Sequence, residues 1–559
     1  MHPDFWNEKR PLGVPSRIEE GSWQSLAHVL EASCQRFGHR PVFSSLGVTL
    51  DYDRLERYTQ AFAAFLQHHT DLLPGDRIAV QLPNVLQFPI AVFGALRAGL
   101  VVVNTNPQYT AREMRHQFKD SGARALVYLN LFGDKVEEVL GDTDIAYLIE
   151  ARLGDLMPAT KGCVFNWLAE TLKRKRPRYA LPTAIAFKSA LRRGEGEGLK
   201  AVALAPQDLA VLQYTGGTTG LAKGAMLTHG NLIANMQQMQ GCFAQQDAAG
   251  NTVLAEGQEI MIAPLPLYHV YAFTANCLCM LVTGNHSVLI ANPRDISGFV
   301  KELGRWRFTG LLGLNTLFVA LMAHPRFARL DFSGLKVTQS GGTALVKATA
   351  ERWHAMTGCP IVEGYGLTET SPVACNNPYG NLARLGTVGM PVPGTAIRIL
   401  DENGNECPLG ERGELCVRGP QVMKGYWQQP QATAEVLDHE GWLRTGDIAV
   451  VDPDGFVRIV DRKKDLILVS GFNVYPNEIE EVVMAHPEVV QCAAIGVPDE
   501  RTGEAVKLFV VVRENGPDAE TLKAFCKAGL TGYKVPRYIE LRESLPMTAV
   551  GKILRRALR

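Results

Sequence analysis

The chain carries no excess of charge of either sign, because its 57 lysines and arginines balance its 57 aspartates and glutamates. That balance removes the global basic field on which nucleic-acid binding depends, so we expect no nucleic-acid partner. The longest apolar stretches are interrupted, one by Arg97 and another by Asn285 and His286, and none is expected to span a bilayer. The first residues, MHPDFWNEKRPLG, lack the apolar core of a signal peptide. We therefore expect a cytoplasmic protein.

Cysteine is present, but without the spacing of a metal site or a disulfide framework. The eleven cysteines include no C-x-x-C pair, and the closest two, Cys277 and Cys279, are separated by one residue. This distribution favours reduced thiols. No fixed-period repeat or low-complexity tract interrupts the 559 residues. A chain of this length exceeds what one hydrophobic core supports, so two or more domains are expected.

Strand-like apolar runs alternate with helical patterns over the first two-thirds of the chain. Residues 77–82, 85–99 and 101–104 read as strand, helix and strand, a unit whose strands pair in parallel. This alternation predicts an α/β fold, with ligands at the ends of the strands. Further buried strands, each leading into a loop rich in Gly, Pro or Thr, are predicted at 208–213, 260–266, 287–290, 335–340 and 361–363.

The pattern of apolar, turn-forming and charged residues changes twice towards the end of the sequence. From about residue 394, short strands alternate with Gly, Pro and Asp turns, which predicts a small β-rich subdomain. The charged run DRKKD at 461–465 then separates two strands and reads as a linker. After it, strands and helices again alternate over the length of one small domain. We predict an N-terminal domain over 1–460, a hinge over 461–465 and a C-terminal α/β domain over 466–559.

Residues 214–224, YTGGTTGLAKG, are the most informative segment. Glycines let the backbone bring its N–H groups close to an anion, and the hydroxyls and lysine add donors and positive charge, which favours a polyphosphate ligand. In the common phosphate loop a Ser or Thr after the lysine holds Mg²⁺, but here Gly224 follows, so a metal ligand must come from elsewhere. A mobile surface loop is the alternative interpretation. The predicted phosphate donors are Thr215, Gly216, Gly217, Thr218, Thr219, Gly220 and Lys223.

Five further segments follow in order, and together they carry a family resemblance. They are PLPLYH at 264–269, SGGT at 340–343, EGYGLTETSP at 363–372, GWLRTGD at 441–447 and VGKI at 550–553. The set resembles the adenylate-forming superfamily of acyl-CoA synthetases, luciferases and adenylation domains. Residues 441–464 resemble the signature of fatty acyl-CoA synthetases, and the chain is similar throughout to bacterial long-chain fatty acid–CoA ligases.

The resemblance implies a reaction, its substrates and a domain motion. It implies ATP-dependent activation of a long-chain fatty acid through an acyl-adenylate, with release of AMP and pyrophosphate, for fatty acid degradation by β-oxidation. ATP and coenzyme A are the implied co-substrates, and Mg²⁺ is the implied cofactor. It also implies that the C-terminal domain is mobile and rotates between the two steps.

The nucleotide site is predicted around two carboxylates, an arginine and an aromatic ring. Glu369 is the candidate metal ligand, since Mg²⁺ prefers oxygen and otherwise relies on phosphate and water. Tyr365 offers a flat face to adenine, with core packing as its alternative role. Asp447 can accept from ribose hydroxyls, or it can simply form a turn, and the resemblance adds Arg462 to this site. The remaining residues predicted to contact the nucleotide are Gly342, Gly364, Gly366 and Thr368.

Three predictions concern the C-terminal part and depend on the resemblance. By composition alone, a lysine in the basic tail KILRRALR is solvated, but the resemblance assigns Lys552 to catalysis of adenylation. It places the hinge of the rotation at Lys464. It also places Ser470 and Gly471 at the coenzyme A tunnel, although a strand-to-turn glycine is a real alternative for Gly471.

The fatty-acid site is predicted from the aromatic segment at 264–273. The resemblance places His269 beside the carboxylate and acyl entrance, with Thr215, Glu369 and Lys552 as the other catalytic residues. A satisfied core histidine is the alternative. Tyr268 and Phe273 fall at the substrate tunnel. The apolar run at 311–321 could line that tunnel, but its helical spacing is equally typical of core.

Other readings remain open at this point. A related enzyme could act on medium-chain or aryl acids or load a carrier protein, and a nucleotide sensor would keep the fold without needing Lys552. Residues 165–178, FNWLAETLKRKRPR, combine apolar residues with five basic ones, which suits either a solvated helix end or an anionic membrane surface. Peripheral membrane association and a homodimer are therefore kept as alternatives to a free monomer.

Overall fold

A computed structural model of the protein describes residues 4–19, 21–171, 179–215, 222–548 and 551–559. Within these ranges the strands form four sheets, and helices connect most of the parallel strands. The predicted α/β fold class is confirmed. In this described part of the chain, no helix is long and apolar enough to cross a membrane.

The first sheet, here called the N-terminal sheet, has seven strands. Neighbouring strands pair in parallel except for the last two, which are antiparallel. The predicted strand–helix–strand unit is confirmed, with its helix shortened to Gln87–Arg97. The carboxyl ends of the parallel strands therefore share one edge. Across the sheet the strands are Ile185–Ala186, Tyr147–Ala151, Ala123–Leu129, Arg77–Gln81, Val101–Asn104, Leu209–Thr215 and Lys223–Thr228.

The second, central sheet has nine strands, of which the middle six are parallel. The strands predicted from buried apolar runs are confirmed, although several begin or end a few residues from the predicted bounds. Because the six strands are parallel, the segments that follow them lie along one edge of the central sheet. In order the strands are Met390–Pro391, Val373–Asn376, Ile361–Gly366, Val337–Gly341, Gly310–Gly313, Ile260–Ala263, His286–Leu289, Pro41–Ser45 and Val48–Asp51.

Two smaller sheets complete the fold. The third is antiparallel and contains Ala396–Leu400, Gly413–Arg418, Leu443–Val451 and Val457–Arg462. Its last strand includes Arg462, and a 3₁₀ turn at Lys463–Asp465 leads out of it. The fourth, here called the C-terminal sheet, contains Phe472–Val474, Ile467–Val469, Gly503–Val512, Val489–Asp499 and Tyr538–Leu541.

Short polar side chains start several helices. Asp51 accepts from the backbone N–H of Arg54, and Thr110 and Glu113 form a reciprocal capping box. The α-helices are Asp4–Asn7, Leu26–Phe37, Tyr52–His69, Gln87–Arg97, Ala111–Ser121, Gly133–Leu140, Ala159–Thr171, Phe187–Gly194, His229–Phe243, Val270–Ala272, Cys279–Val282, Ile296–Leu303, Asn315–Ala323, Lys347–Thr357, Pro430–Val436, Pro476–Met484 and Ala519–Gly529. Short 3₁₀ turns and one π-helical turn, Phe273–Leu278, join them.

Buried aromatic rings fix the helices beside the central sheet. The Trp353 ring lies 4.8 Å from that of Phe318 and 5.4 Å from that of Phe327, centroid to centroid. Such packing holds helix Asn315–Ala323 in place, because large rings contribute most of the contact area in a core. All eleven cysteines are free thiols, and only Cys163 is exposed.

Candidate active site

The carboxyl ends of the two parallel sheets face a cleft of about 2800 Å³. Thr215 reaches it from the N-terminal sheet, and Gly341 and Glu363 reach it from the central sheet. The third sheet contributes Asp447 to the wall, the C-terminal sheet contributes Gln491, and the segment that follows that sheet contributes Lys552. All four sheets therefore supply residues to one cavity.

Most of the residues predicted for a nucleotide site line this cleft together. Five predicted phosphate donors, residues 216–220, lie outside the described residues. Among the described residues, the cleft lining does not include Phe273, Ser470 or Gly471. The predicted residues that do line the cleft are Thr215, Lys223, Tyr268, His269, Gly342, Gly364, Tyr365, Gly366, Thr368, Glu369, Asp447, Arg462, Lys464 and Lys552.

Asp447 is the centre of a hydrogen-bonded group in the cleft wall. Antiparallel pairing of two strands places Asp447 opposite Arg462, whose Nε lies 3.1 Å from its Oδ1. The Tyr365 hydroxyl donates to Asp447 Oδ2 at 2.5 Å. Burial and the nearby Asp447 carboxylate raise the pKa of Tyr365, so its phenol remains a donor. The Tyr365 ring is therefore held in a fixed plane at the cleft wall, where it both packs on the core and faces the cavity.

Glu369 is held by Tyr426, a residue that the sequence analysis did not identify. The Tyr426 hydroxyl donates to Glu369 Oε1 at 2.7 Å, and the ammonium of Lys223 lies 5.0 Å above the Tyr426 ring. These contacts join the strand that follows the phosphate-loop segment to the turn Thr368–Thr370. No sequence spacing indicates this pair, because Glu369 lies in a 3₁₀ turn and Tyr426 lies 57 residues further along the chain, outside the strands.

The donor set around Glu369 fits a hard cation that brings most of its own ligands. In the described part of the chain, no group of three or more His, Cys, Asp or Glu residues could hold a metal ion. Glu369 alone supplies one carboxylate at the cleft, and Mg²⁺ in phosphate-binding sites takes its other ligands from phosphate and water. A single carboxylate in a cleft that also contains Thr215 and Lys223 fits that mode of binding.

Lys552 enters the cleft opposite Gly342. A Cβ atom on Gly342 would lie 3.2 Å from Lys552 Cε and 3.5 Å from Nζ, and Gly342 has a φ of +86°. Burial, together with the charge of Arg462, lowers the pKa of Lys552 to about 8, although Asp447 acts in the opposite direction. The ammonium is thus partly desolvated, and it faces a position where only glycine leaves it room.

His269 lies within electrostatic reach of Lys552 and is neutral. Burial, with a smaller effect of the Lys552 charge, lowers the pKa of His269 to about 4. Its Nδ1 accepts from the backbone N–H of Tyr271 at 3.3 Å, which places the ring proton on Nε2. His269 can therefore donate one hydrogen bond without carrying charge at neutral pH.

Polar contacts hold the C-terminal part against the third sheet. Asp461 accepts from the Asn477 backbone N–H at 2.8 Å, and Asn477 Nδ2 donates to the Val460 carbonyl at 3.0 Å. Arg412 of the third sheet region pairs with Glu478 at 3.0 Å. These are hydrogen bonds and ion pairs rather than buried apolar contacts, and water can replace partners of this kind at low energetic cost.

Within the C-terminal part, ion pairs fix the segment that carries Lys552. Arg555 donates to Glu480 at 2.7 Å, and Arg559 pairs with Asp465 of the 3₁₀ turn at 3.0 Å. The backbone N–H of Lys552 donates to Thr548 Oγ1 at 3.0 Å. The Lys552 side chain is therefore presented on a braced segment rather than on a loose tail.

Glu363 is a second functional candidate that the sequence analysis missed. Its carboxyl is buried and accepts from the backbone N–H groups of Leu345 and Gly386, at 3.3 and 3.0 Å. Burial raises the pKa of Glu363 to about 7. The carboxyl therefore ties the strand that contains Tyr365 to two loops, one at Leu345 and one at Gly386.

Three predicted positions lie elsewhere. Ser470 and Gly471 form a tight exposed turn, with φ of +52° and +80°, next to Phe472, whose ring stacks on Tyr533 at 4.8 Å. Phe273 is fully buried at the start of the π-helical turn. The run at 311–321 is divided between a strand, Gly310–Gly313, and a helix, Asn315–Ala323, so its helical spacing describes only its second part.

Two family models match this chain, one over its N-terminal part and one over its C-terminal part. The sequence matches the family model described as AMP-binding enzyme over residues 30–427, and that described as AMP-binding enzyme C-terminal domain over residues 478–552. It is 49% identical to a long-chain-fatty-acid–CoA ligase of Escherichia coli O6:H1, over 99% of this chain and 97% of that protein. A ligase of the same description from Bacillus subtilis is 36% identical, over 99% and 97%. The structure of ATP-bound MatB from Rhodopseudomonas palustris is similar, with a TM-score of 0.78 and 27% identity, over 95% of this chain and 98% of that one.

Proposed function

The chain belongs to the family of AMP-binding enzymes, and we propose that it converts long-chain fatty acids into fatty acyl-CoA with ATP. The reaction passes through an acyl-adenylate, releases AMP and pyrophosphate, and feeds fatty acid degradation by β-oxidation. The observation that carries this proposal is the position of Lys552. A cation from the C-terminal part lies in a cleft whose wall includes Asp447, Tyr365 and Glu369.

The two steps have different chemical requirements. In the first, a carboxylate oxygen of the fatty acid attacks the α-phosphorus of ATP, an O–P bond forms, and pyrophosphate leaves. In the second, the coenzyme A thiolate attacks the acyl carbonyl, a C–S bond forms, and AMP leaves. The protein supplies alignment for both steps and charge stabilisation where negative charge develops.

In this proposal, different residues of the cleft bind different parts of the nucleotide. Thr215, Lys223 and the loop at 216–220 bind the outgoing pyrophosphate. Glu369 would hold Mg²⁺, which supplies charge neutralisation at the phosphates when bound. Asp447 accepts from the ribose, and Arg462 keeps its carboxylate in place. The adenine lies against Tyr365, with Gly342, Gly364, Gly366 and Thr368 around it.

The acid is positioned from the other side of the cleft. His269 donates from its neutral Nε2 towards the carboxylate, and Lys552 stabilises the charge that develops between that carboxylate and the α-phosphate. Tyr268 lies at the entrance to the acyl site. Phe273, which is fully buried, is proposed to close the acyl tunnel until a substrate displaces its ring.

The second step requires the C-terminal part to move. Lys552 occupies the face from which a thiol must approach, so we propose rotation about Lys464 once the adenylate has formed. The polar contacts of Asp461 with Asn477, and of Arg412 with Glu478, break in that movement. Rotation then brings the turn at Ser470 and Gly471 towards the cleft, where Gly471 leaves room for the narrow thiol arm of coenzyme A.

The choice of acid and acceptor, the location of the enzyme and its oligomeric state each need a separate test. Comparing long-chain, medium-chain and aryl acids, with coenzyme A or a carrier protein as acceptor, distinguishes this function from a related ligase. We propose that the enzyme works in the cytoplasm, at the inner face of the membrane. A homodimer stays a prediction, and sedimentation velocity of the purified protein tests it.

Replacing Lys552 with alanine is expected to impair one half-reaction selectively. Loss of an electrostatic catalyst of this kind slows the chemical step by about 10²–10³-fold. Exchange of labelled pyrophosphate into ATP, which measures adenylation, should fall by that factor in Lys552→Ala. Thioester formation from supplied acyl-AMP should stay within a few-fold of the wild-type rate. An equal loss in both assays would contradict the assignment of Lys552 to adenylation alone.

Adenylation is also expected to lose rate at high pH. Lys552 acts only in its protonated form, and its pKa in the free enzyme is about 8. The kcat/KM of pyrophosphate exchange should therefore decrease as pH rises through that value. His269, with a pKa of about 4, stays neutral throughout the range and adds no second transition. The low residual rate of Lys552→Ala should show no such decrease. If the rate of this variant also falls as pH rises through about 8, the transition belongs to another group.

A methyl group at Gly342 is expected to displace Lys552. Gly342→Ala places a Cβ within 3.5 Å of Lys552 Nζ, at a φ of +86°. The matched control is Gly358→Ala, which has a φ of +75° and open space around its Cβ. Both variants bear the backbone strain of a left-handed alanine, of order 1 kcal/mol. Only Gly342→Ala should slow pyrophosphate exchange at least about tenfold. Equal rates in the two variants would show that contact with Lys552 is unimportant.

Restricting the hinge should block the second step. A 3₁₀ turn has φ between about −50° and −70°, which proline adopts, so Lys464→Pro keeps the observed turn and resists rotation away from it. Pyrophosphate exchange should be retained, and overall thioester formation should fall by at least about tenfold. Lys464→Ala removes the charge but leaves the backbone free, and should keep both activities. Normal turnover by the proline variant would place the pivot elsewhere.

A further inference from the structure

Residues 423–427, MKGYW, pair with the outer edge of the N-terminal sheet. Strand Lys223–Thr228 is the last strand of that sheet, so one of its edges faces away from the other strands. The backbone of residues 423–427 forms three hydrogen bonds with Gly224 and Met226 of this strand, at 2.8, 2.9 and 3.0 Å. The segment therefore covers the edge of the strand that begins directly after the predicted phosphate loop.

The same segment holds Glu369 by two hydrogen bonds. The backbone N–H of Met423 donates to the Glu369 carbonyl at 2.9 Å, and the Tyr426 hydroxyl donates to Glu369 Oε1 at 2.7 Å. Among the described residues, no other donor reaches this carboxylate. Its main chain and one carboxylate oxygen are thus fixed, and Oε2 stays available as an acceptor at the cleft.

The Tyr426 ring contacts the phosphate side of the cleft as well. Its backbone N–H donates to Thr433 Oγ1 at 2.9 Å, and the residue is only 9% exposed. The Lys223 ammonium lies 5.0 Å from the ring centroid, which is within the range of a cation–π interaction. One side chain therefore contacts both Lys223, through its ring, and Glu369, through its hydroxyl.

We propose that Tyr426 is a positioning residue for the metal–nucleotide complex. Its hydroxyl orients the Glu369 carboxylate so that Oε2 faces the cation, and its ring supports Lys223 beside the phosphates. This inference rests on the proposed binding of ATP and Mg²⁺ at these two residues. A hydrogen bond to a ligating carboxylate fixes the direction of the oxygen that binds the metal, and loss of such an outer contact typically lowers metal affinity by about 10–100-fold.

A binding measurement without turnover tests this role. The probe is α,β-methylene ATP, whose bridging carbon prevents release of pyrophosphate. Isothermal titration calorimetry of the full-length protein, without fatty acid, gives the Kd of this nucleotide once with excess Mg²⁺ and once with EDTA. The ratio of the two Kd values is the metal enhancement, that is, the factor by which Mg²⁺ tightens nucleotide binding.

Tyr426→Phe removes the hydroxyl and keeps the ring below Lys223. We expect its metal enhancement to be about 10–100-fold smaller than that of the wild type, with an unchanged Kd in EDTA. The matched control is Tyr179→Phe. The Tyr179 hydroxyl also donates to a carboxylate oxygen, Glu150 Oε2, at 2.7 Å, but both residues lie outside the described lining of the cleft. This control should keep the wild-type enhancement.

Tyr426→Leu separates the ring from the hydroxyl. This variant removes both groups, so it should lose the metal enhancement as Tyr426→Phe does. It should also bind the nucleotide more weakly in EDTA, because Lys223 loses the ring beneath it. Equal Kd values in EDTA for the leucine and phenylalanine variants would overturn the role of the ring.

Two results with Tyr426→Phe would overturn the role of the hydroxyl. A wild-type metal enhancement would show that Glu369 binds the cation without this hydrogen bond. An equal loss of affinity with and without Mg²⁺ would show that the substitution damages the site in general rather than the position of one carboxylate.

Glu369→Gln distinguishes failure of this inference from failure of the proposed site. If Glu369→Gln loses the metal enhancement and Tyr426→Phe keeps it, the metal site stands and the inference about Tyr426 is wrong. If both variants keep it, the metal is bound elsewhere, and the proposed site fails together with the inference. Failure of the proposed reaction has a different sign, the absence of pyrophosphate exchange that depends on a fatty acid.

Discussion

The site depends on a partly desolvated ammonium group that is brought into a cleft by a separate part of the chain. Burial lowers the pKa of Lys552 to about 8, which means that the protein holds this charge where water stabilises it less. A charge in such surroundings interacts strongly with any negative charge that develops beside it. The bracing contacts of Arg555 and Arg559, and the open space over Gly342, all serve to keep the ammonium in that position.

The fold makes this arrangement possible by directing two sheets towards one cavity. Parallel pairing places the ends of their strands together, so loops that are distant in sequence become neighbours. Thr215 and Glu363 reach the cleft in this way. The third sheet adds Asp447 and Arg462 through antiparallel pairing, which sets the two side chains opposite each other without any loop between them. Rigid strands thus position Asp447 and Arg462, whereas Lys552 comes from the C-terminal part.

The fold class and most strand positions could be predicted from the sequence, and most of the predicted site residues do line the cleft. Each of these depends on a local pattern: apolar runs of strand length, glycine-rich turns, and motifs such as EGYGLTE and GWLRTGD. The predictions did not reach Tyr426, which donates to a carboxylate 57 residues away, or the role of Glu363, whose partners come from two separate loops. Such pairs arise only after the sheets assemble. The run at 311–321 was difficult for another reason, since a buried strand followed by a buried helix has no polar residue to mark the boundary.

The junction at Arg462 and Lys464 has a mechanical consequence. Arg462 is the last residue of its strand and contacts Asp447, and the 3₁₀ turn begins at the next residue. In the proposed rotation about Lys464, the C-terminal part turns while the wall that contains Asp447 and Arg462 stays still. In that proposal the acyl-adenylate stays bound to the same wall throughout the rotation, so its reactive anhydride remains shielded from hydrolysis.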